Sequence, residues 1–152
     1  MPRIEVSKNA PAIATREALV DAPIDEVWAV LSELAKWPQW NESVTGMEVH
    51  GPLAAGTEFR WVAGGMKIRS RIEEVEAPNR IVWSGTTMGI RAVHIWELAP
   101  ADSMTRVRTE ESFQGLIVRL FARRMRRELD RALEQGIGAL KKEAEMRHGG
   151  AG

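Results

Sequence analysis

The sequence of 152 residues contains no cysteine and no tyrosine. Without cysteine the chain has no disulfide, no thiolate metal ligand and no cysteine nucleophile. The three histidines are widely spaced, and none forms the close pair typical of a metal site, so we expect no metal and no cofactor. An absence of cysteine is also compatible with a reducing compartment, and we expect a cytoplasmic location.

The chain also lacks a long apolar run and an excess of either charge. Its apolar segments are shorter than the ~20 residues of a membrane-spanning helix, and the first residues have no apolar core of a signal peptide. The 21 basic and 21 acidic residues cancel, and a neutral chain is a poor candidate for nucleic-acid binding. We therefore expect neither a membrane span nor a nucleic-acid partner, and the oligomeric state is left open.

The first 40 residues are predicted to form a polar arm, one strand and one short helix. A polar arm over residues 1–11 is expected to be flexible, and residues 12–21 are predicted to be a strand. The apolar spacing that follows is typical of a short helix, with Asp25 as its N-cap, and Pro38 ends that segment. Six more strands with period-two alternation are separated by glycine and proline turns, over residues 43–50, 56–62, 67–76, 80–86, 90–98 and 104–113.

After Gly115 the apolar period changes to that of one long helix over residues 117–147, and residues 148–152 are expected to be a disordered tail. Short connections between successive strands favour an antiparallel sheet. The sequence therefore predicts an α+β fold in one domain over residues 12–147. Residues 119–152 hold nine basic and five acidic residues, and five of the basic ones are arginines between 119 and 127 with no acid among them.

The strand alternation assigns most apolar side chains to one face of the sheet and charges of both signs to the other. The alternation breaks after Ile72, and a β-bulge there would return Val75 to the inner face. His94 and Glu111 also fall on the inner face, on what are predicted to be neighbouring strands. A buried carboxylate beside a histidine is a common source of shifted pKa values.

A set of short motifs in fixed order spans residues 12–145. They are Ala22-Pro23 before Val27-Trp28, Leu34 before Trp37-Pro38 and Trp40, Gly51-Pro52 with Gly56-Thr57, Ile72 to Val75 with Pro78 and Arg80, His94 with Trp96 and Leu98, Thr105 with Val107, and Glu111 with Phe113 and Gly115. This set resembles the START-related SRPBCC superfamily, and most closely its polyketide cyclase/dehydrase-like branch. The resemblance implies a helix-grip fold: a seven-stranded curved antiparallel sheet wrapped around a long C-terminal helix, with short helices after the first strand.

The same resemblance implies a cavity between sheet and helix. The first hypothesis is therefore a small-molecule binding protein that holds an apolar or aromatic ligand, lipid-like or polyketide-like. The alternative for the tryptophans is a filled core. The candidate ligand-binding residues are Trp37, Trp40, Phe59, Trp61, Ile68, Ser70, Ile72, Ile81, Trp83, Trp96, Thr109, Phe113, Leu120, Phe121, Arg124 and Leu133.

Two further hypotheses stay open, and whether the chain is an enzyme is not decided. In the second, His94 and Glu111 are catalytic acid and base in an aromatase/cyclase-type reaction that closes a polyketide ring and removes water. The same two residues could instead form a structural pair. In the third, the protein is a protein-interaction module that uses the arginine-rich start of the long helix. That patch could attract an anionic lipid head group, a carrier-protein phosphate or a nucleic acid; the alternative is an ordinary solvated face.

Overall fold

Residues 3–150 are described by a computed structural model, in which seven strands form one antiparallel sheet. The order across the sheet is β1-β7-β6-β5-β4-β3-β2, so β2 to β7 form a meander and β1 pairs with β7. The predicted seven-stranded antiparallel sheet is confirmed. The strands are β1 (Ala12–Val20), β2 (Val44–His50), β3 (Glu58–Ala63), β4 (Met66–Glu76), β5 (Arg80–Thr87), β6 (Ile90–Ala101) and β7 (Met104–Gln114).

Two short helices follow β1, as the resemblance implied: α1 (Ile24–Ser32) and α2 (Trp37–Trp40), with a 3-10 turn over Leu34–Lys36 between them. The N-cap of α1 is Pro23, not Asp25, so Asp25 lies inside the first turn. There its carboxylate still faces the positive end of the helix dipole, which explains the acidic residue without a capping role.

The predicted single helix over residues 117–147 is two helices, α3 (Leu116–Leu120) and α4 (Ala122–Gly150). Phe121 separates them with a φ of −119° and a ψ of 37°. The sequence does not reveal the break because the apolar spacing continues across it: Val118 before the break and Leu129 after it are both buried. The last turn of α4 includes residues 148–150, where a tail was expected, and His148 Nδ1 lies 2.6 Å from Glu26 Oε2 on α1. Residues 151 and 152 of that expected tail lie outside the described residues.

The predicted bulge is present in β4. The register between β4 and β5 shifts between Ile72 and Glu74, and Val75 is then paired with Ile81. Val75 packs against the hydrophobic core as a result. The sheet bends at bulges, so this one contributes to the curvature that lets the sheet wrap around α4.

The interior has two hydrophobic clusters. The larger joins α1, α2, the sheet and the C-terminal half of α4, around Trp37 and Ile137. The smaller joins β1, α3 and the N-terminal half of α4, around Val118 and Leu129. The side chains of α4 that reach this interior are Leu129, Leu133, Ile137, Leu140 and Ala144.

The outer face of the sheet carries a buried cation. Arg80 is 1% exposed, and its guanidinium donates to Glu74 Oε2 at 3.0 Å and to Glu97 Oε2 at 2.6 Å. It also donates to the carbonyl oxygen of Ile4. Residues 3–5 are therefore held against the outer face of the sheet, since Arg3 pairs with Glu76 and Glu97 and Glu5 with Arg80. This differs from the flexible arm expected for residues 1–11; residues 1 and 2 lie outside the described part of the chain.

We predict that Arg80→Ala destabilises the protein by about 2–3 kcal/mol. This is somewhat below the ~3–5 kcal/mol of a fully buried pair, because both carboxylates keep partial contact with water. Urea unfolding measures the change, and trypsin cleavage after Lys8 should accelerate because the arm loses its anchor. The matched control is Arg108→Ala, whose side chain is 37% exposed and pairs with Glu97; it should cost less than about 1 kcal/mol. Equal losses in both variants would contradict the prediction.

Candidate ligand-binding site

A cavity of 390 Å³ lies between the inner face of the sheet and α4. Ligand sites for small molecules commonly measure about 300–1,000 Å³. The exposed residues among its lining are Gly64 and Met66 at the β3–β4 turn, Thr86 on β5, and Glu128, Arg131 and Ala132 on α4. The cavity therefore opens to solvent between the β3–β4 hairpin and the first half of α4.

Trp37 is the centre of the aromatic wall. Its ring centroid lies 5.4 Å from that of Trp40, 5.9 Å from Trp61, 5.5 Å from Trp83 and 6.5 Å from Trp96. Three of these four pairs are edge-to-face, a favoured geometry for aromatic rings. All five indoles line the cavity. The sequence placed three of them on strands and two at the α2 corner, and the fold brings them together.

The indole N–H groups of the wall differ in whether they have a hydrogen-bond acceptor. Trp37 Nε1 donates to the carbonyl oxygen of Leu31 at 2.9 Å, and Trp61 Nε1 donates to Ser70 Oγ at 3.0 Å. Trp40 Nε1 and Trp96 Nε1 are buried and have no acceptor among residues 3–150. A buried donor without an acceptor is unfavourable. These two N–H groups are therefore available to an acceptor atom of a ligand.

His94 and Glu111 meet at the sheet wall of the cavity. They are directly opposite in the β6–β7 register, and His94 Nδ1 lies 3.4 Å from Glu111 Oε1. His94 Nε2 is 2.8 Å from Thr109 Oγ1, and the imidazole lies between Trp83 and Trp96 at centroid distances of 5.0 and 5.4 Å. The predicted placement of the pair on the inner face is confirmed.

Burial keeps both groups uncharged near neutral pH. It lowers the pKa of His94 to about 3 and raises the pKa of Glu111 to about 8, because each charged form would lose its contact with water. The 3.4 Å separation is longer than the ~2.7–2.9 Å of a charge-assisted pair. A protonated Glu111 can donate a hydrogen bond to His94 or to an acceptor oxygen in the cavity.

A second polar group of the wall was missed by the sequence analysis. Gln135 Nε2 on α4 donates to Asn41 Oδ1 at 2.9 Å, and Ser43 Oγ lies within 2.9 Å of both amide side chains. These residues tie the α2–β2 connection to α4 at the cavity. Asn41 and Ser43 lie in the connection between α2 and β2, and Gln135 is a polar residue of α4. Neither strand alternation nor the apolar stripe of the helix could therefore identify them from the sequence.

Of the 18 predicted site residues, eleven line the cavity: Trp37, Trp40, Trp61, Ile68, Ser70, Trp83, His94, Trp96, Glu111, Phe113 and Leu133. Four lie in the buried core without lining it: Phe59, Ile72, Ile81 and Thr109. The remaining three, Leu120, Phe121 and Arg124, are exposed on the surface. Leu120 and Phe121 lie at the break between α3 and α4 and Arg124 lies in the first turn of α4, and none of the three lines the cavity.

The small residues of α4 that face the cavity, Ala132 and Gly136, were also missed. Their four-residue spacing beside the apolar stripe is the signal that could have found them.

No group of three or more potential metal-binding side chains occurs within the described chain. None of its helices combines the length and the apolar content that a membrane crossing needs.

The two shifted pKa values predict a stability plateau between pH 4.5 and 6.5. Below pH 6.5 the unfolded chain gains a proton on His94 that the folded chain does not, so stability falls with falling pH. Above pH 4.5 the folded chain keeps a proton on Glu111 that the unfolded chain loses, so stability falls with rising pH. Within the plateau the two slopes cancel.

Glu111→Gln should abolish the decline between pH 6.5 and about pH 8, measured as the urea midpoint across this range. Glu48→Gln on the exposed end of β2 is the matched control and should leave the decline in place. A Glu111→Gln protein that loses stability as steeply as the unmodified chain would show that this carboxyl is not protonated in the folded state.

The fold matches those of proteins solved from several bacteria. A hypothetical protein jhp0584 from Helicobacter pylori is 16% identical with a TM-score of 0.83, covering 95% of this chain and 97% of its own. The Zhui aromatase/cyclase from Streptomyces sp. R1128 is 19% identical with a TM-score of 0.76, at 89% and 94% coverage. A START superfamily protein from Mycobacterium smegmatis is 14% identical with a TM-score of 0.69, at 88% and 97% coverage.

At these identities the solved structures establish the fold alone. No curated protein matches the sequence. A family model, described as polyketide cyclase / dehydrase and lipid transport, matches residues 11–145, which is most of the chain. The motifs, the helix-grip architecture and this match agree, and the chain belongs to the polyketide cyclase / dehydrase and lipid transport family.

Proposed function

We propose that the protein binds a flat, predominantly apolar small molecule in the cavity between the sheet and α4. The observation that carries the proposal is a 390 Å³ space with five indole rings in its wall. Indole faces bind flat, polarisable groups by stacking and edge contacts, which a straight alkyl chain exploits less well. The wall thus favours an aromatic or polyketide-like ligand over a simple fatty chain.

The polar atoms of the wall favour a ligand with acceptor oxygens. Trp40 Nε1 and Trp96 Nε1 are donors without acceptors in the described structure, and Glu111 is a third donor when protonated. A ketone or phenol oxygen would satisfy such donors, whereas a hydrocarbon would leave them unpaired. The family description and the likeness to an aromatase/cyclase support the same ligand class.

A second candidate function, an aromatase/cyclase-type activity, is favoured by one specific observation. Glu111 is a protonated acid inside an apolar cavity, beside the neutral imidazole of His94. In an aldol closure, the neutral His94 would remove a proton from a methylene carbon. That carbon would bond to a ketone carbon while the ketone C=O π bond breaks and Glu111 protonates its oxygen. Loss of water would follow when a base removes the adjacent C–H proton and the new hydroxyl leaves with a proton. The carboxylate of Glu111 and His94 are the groups placed to exchange these protons.

The binding proposal predicts that Gly136→Leu blocks the cavity. A Cβ at this position points toward Trp96 Cζ2 at 4.0 Å, so a longer side chain would fill the space beside the indole. The affinity for the neutral dye N-phenyl-1-naphthylamine should fall at least about tenfold, as expected when a buried apolar contact area is lost. Dye fluorescence and quenching of the tryptophans give the measurement.

The matched control is Gly138→Leu, two residues along the same helix, where an added Cβ meets no atom within 4 Å. Both variants replace a helical glycine and should gain helix stability, so only the cavity distinguishes them. Equal dye binding in the two variants, or no binding by the unmodified protein, would reject the cavity as the binding site. Native mass spectrometry of freshly purified protein would then be searched for a retained small molecule.

The second candidate is tested with a linear poly-β-ketone thioester as substrate. If the protein is a cyclase, cyclised product lacking one water should form, and Glu111→Gln should reduce its rate by about 10²–10⁴-fold, the usual contribution of a general acid. The dye affinity of Glu111→Gln should stay within about threefold of the unmodified protein, because the amide preserves the shape of the wall. No product above the uncatalysed rate would leave binding as the function and reject the enzyme.

A further inference from the structure

One end of the molecule exposes a cluster of large apolar side chains. Leu116, Leu120 and Phe121, at the α3–α4 break, are 74%, 68% and 54% exposed, and Met88 in the β5–β6 turn is 80% exposed. Ile117 is also exposed. Single exposed apolar residues are common on protein surfaces, but a contiguous group of this kind marks an interaction site.

The backbone holds this group together. Gly115, which enters α3 with a φ of +131°, packs so closely on the β5–β6 turn that a Cβ would lie 2.3 Å from the carbonyl oxygen of Gly89. Met88, Gly89, Gly115 and Leu116 also border one surface depression. We call Met88, Leu116, Ile117, Leu120 and Phe121 the α3 surface.

The α3 surface adjoins a concentration of positive charge. Arg119, Arg123, Arg124 and Arg127 are exposed and have no carboxylate partner within residues 3–150. The first turn of α4 has no acidic residue. Arginines at a helix N-terminus add to the positive end of the helix dipole, an arrangement that disfavours the helix. An anionic partner would offset this repulsion.

We propose that the α3 surface and the flanking arginines dock the protein onto anionic membranes. The apolar side chains project from one helical turn and one β-turn, a convex shape suited to insertion among lipid head groups. Arginines around such an anchor bind anionic head groups, and anchoring needs both contributions. The cavity is lined near Met88 by Thr86, Thr87 and Ile90. Docking through the α3 surface would therefore place this part of the cavity wall next to the lipid.

A membrane fits this surface better than a folded partner does. The group contains five apolar side chains, whereas a stable protein interface uses about 20–30 residues on each side. Residues 119–127 contain five arginines and no acidic residue, whereas typical protein interfaces intersperse acids among the basic residues. The partner must therefore supply many negative charges around a small apolar contact, as an anionic bilayer does.

Vesicle co-sedimentation tests the proposal with the full chain. The unmodified protein should bind phosphatidylglycerol-containing vesicles, bind phosphatidylcholine vesicles weakly, and dissociate as salt rises. Leu120→Ser with Phe121→Ser should weaken partitioning at least about tenfold. Arg123→Glu with Arg124→Glu should weaken it at least about 25-fold, since each surface charge contributes about fivefold. Acids at this helix N-terminus favour the helix, so the second variant is not expected to unfold.

Two matched double variants serve as controls. Leu19→Ser with Met146→Ser removes exposed apolar residues elsewhere, and Arg106→Glu with Lys142→Glu reverses two exposed charges elsewhere. Both should bind vesicles within about threefold of the unmodified protein, with unchanged circular dichroism. The proposal is overturned if the unmodified protein ignores anionic vesicles, if the controls lose binding equally, or if sedimentation instead shows a dimer that Leu120→Ser with Phe121→Ser dissociates.

Discussion

The small side chains that face one another across the sheet and α4 prevent the interior of this protein from closing. Ala92 on β6 faces the same space as Ala132 and Gly136 on α4, while larger side chains on either side pack normally. The core is therefore divided into two clusters. The cavity lies where these side chains are too small to fill the space between the sheet and α4.

The chemistry of the cavity follows from this division. His94 and Glu111 belong to the sheet wall, where apolar neighbours on β5 and β6 exclude water from both side chains. In a filled core such a pair would be satisfied by surrounding groups, and in an open cleft it would be ionised. Here burial favours the neutral forms, so a carboxylic acid is held as a hydrogen-bond donor facing an apolar space. That combination suits both recognition of a carbonyl oxygen and proton transfer to it.

Strand parity explains how much of this site the sequence could reveal. Parity is a local property, so the inner-face positions of Trp83, His94 and Glu111 follow from their neighbours in sequence. The break at Phe121 does not, because the apolar period is the same on both sides of it. The polar contacts of Asn41 with Gln135 and of Arg80 with Ile4 join residues 94 and 76 positions apart. Only the tertiary fold brings such residues together, and these are the features that sequence reasoning missed.

The break at Phe121 connects the two proposals through geometry. A continuous helix would have directed Leu120 and Phe121 inward, where they would have filled part of the cavity beside the smaller cluster. The close contact of Gly115 with the β5–β6 turn instead fixes α3 at the ends of β6 and β7, and Val118 is its one buried side chain. The same change of direction therefore places Leu120 and Phe121 on the surface, away from the cavity. The small side chains of Ala92, Ala132 and Gly136 leave the cavity unfilled, and the break at Phe121 keeps Leu120 and Phe121 out of it. The proposed ligand site and the proposed membrane contact therefore both depend on where this break directs the large apolar side chains.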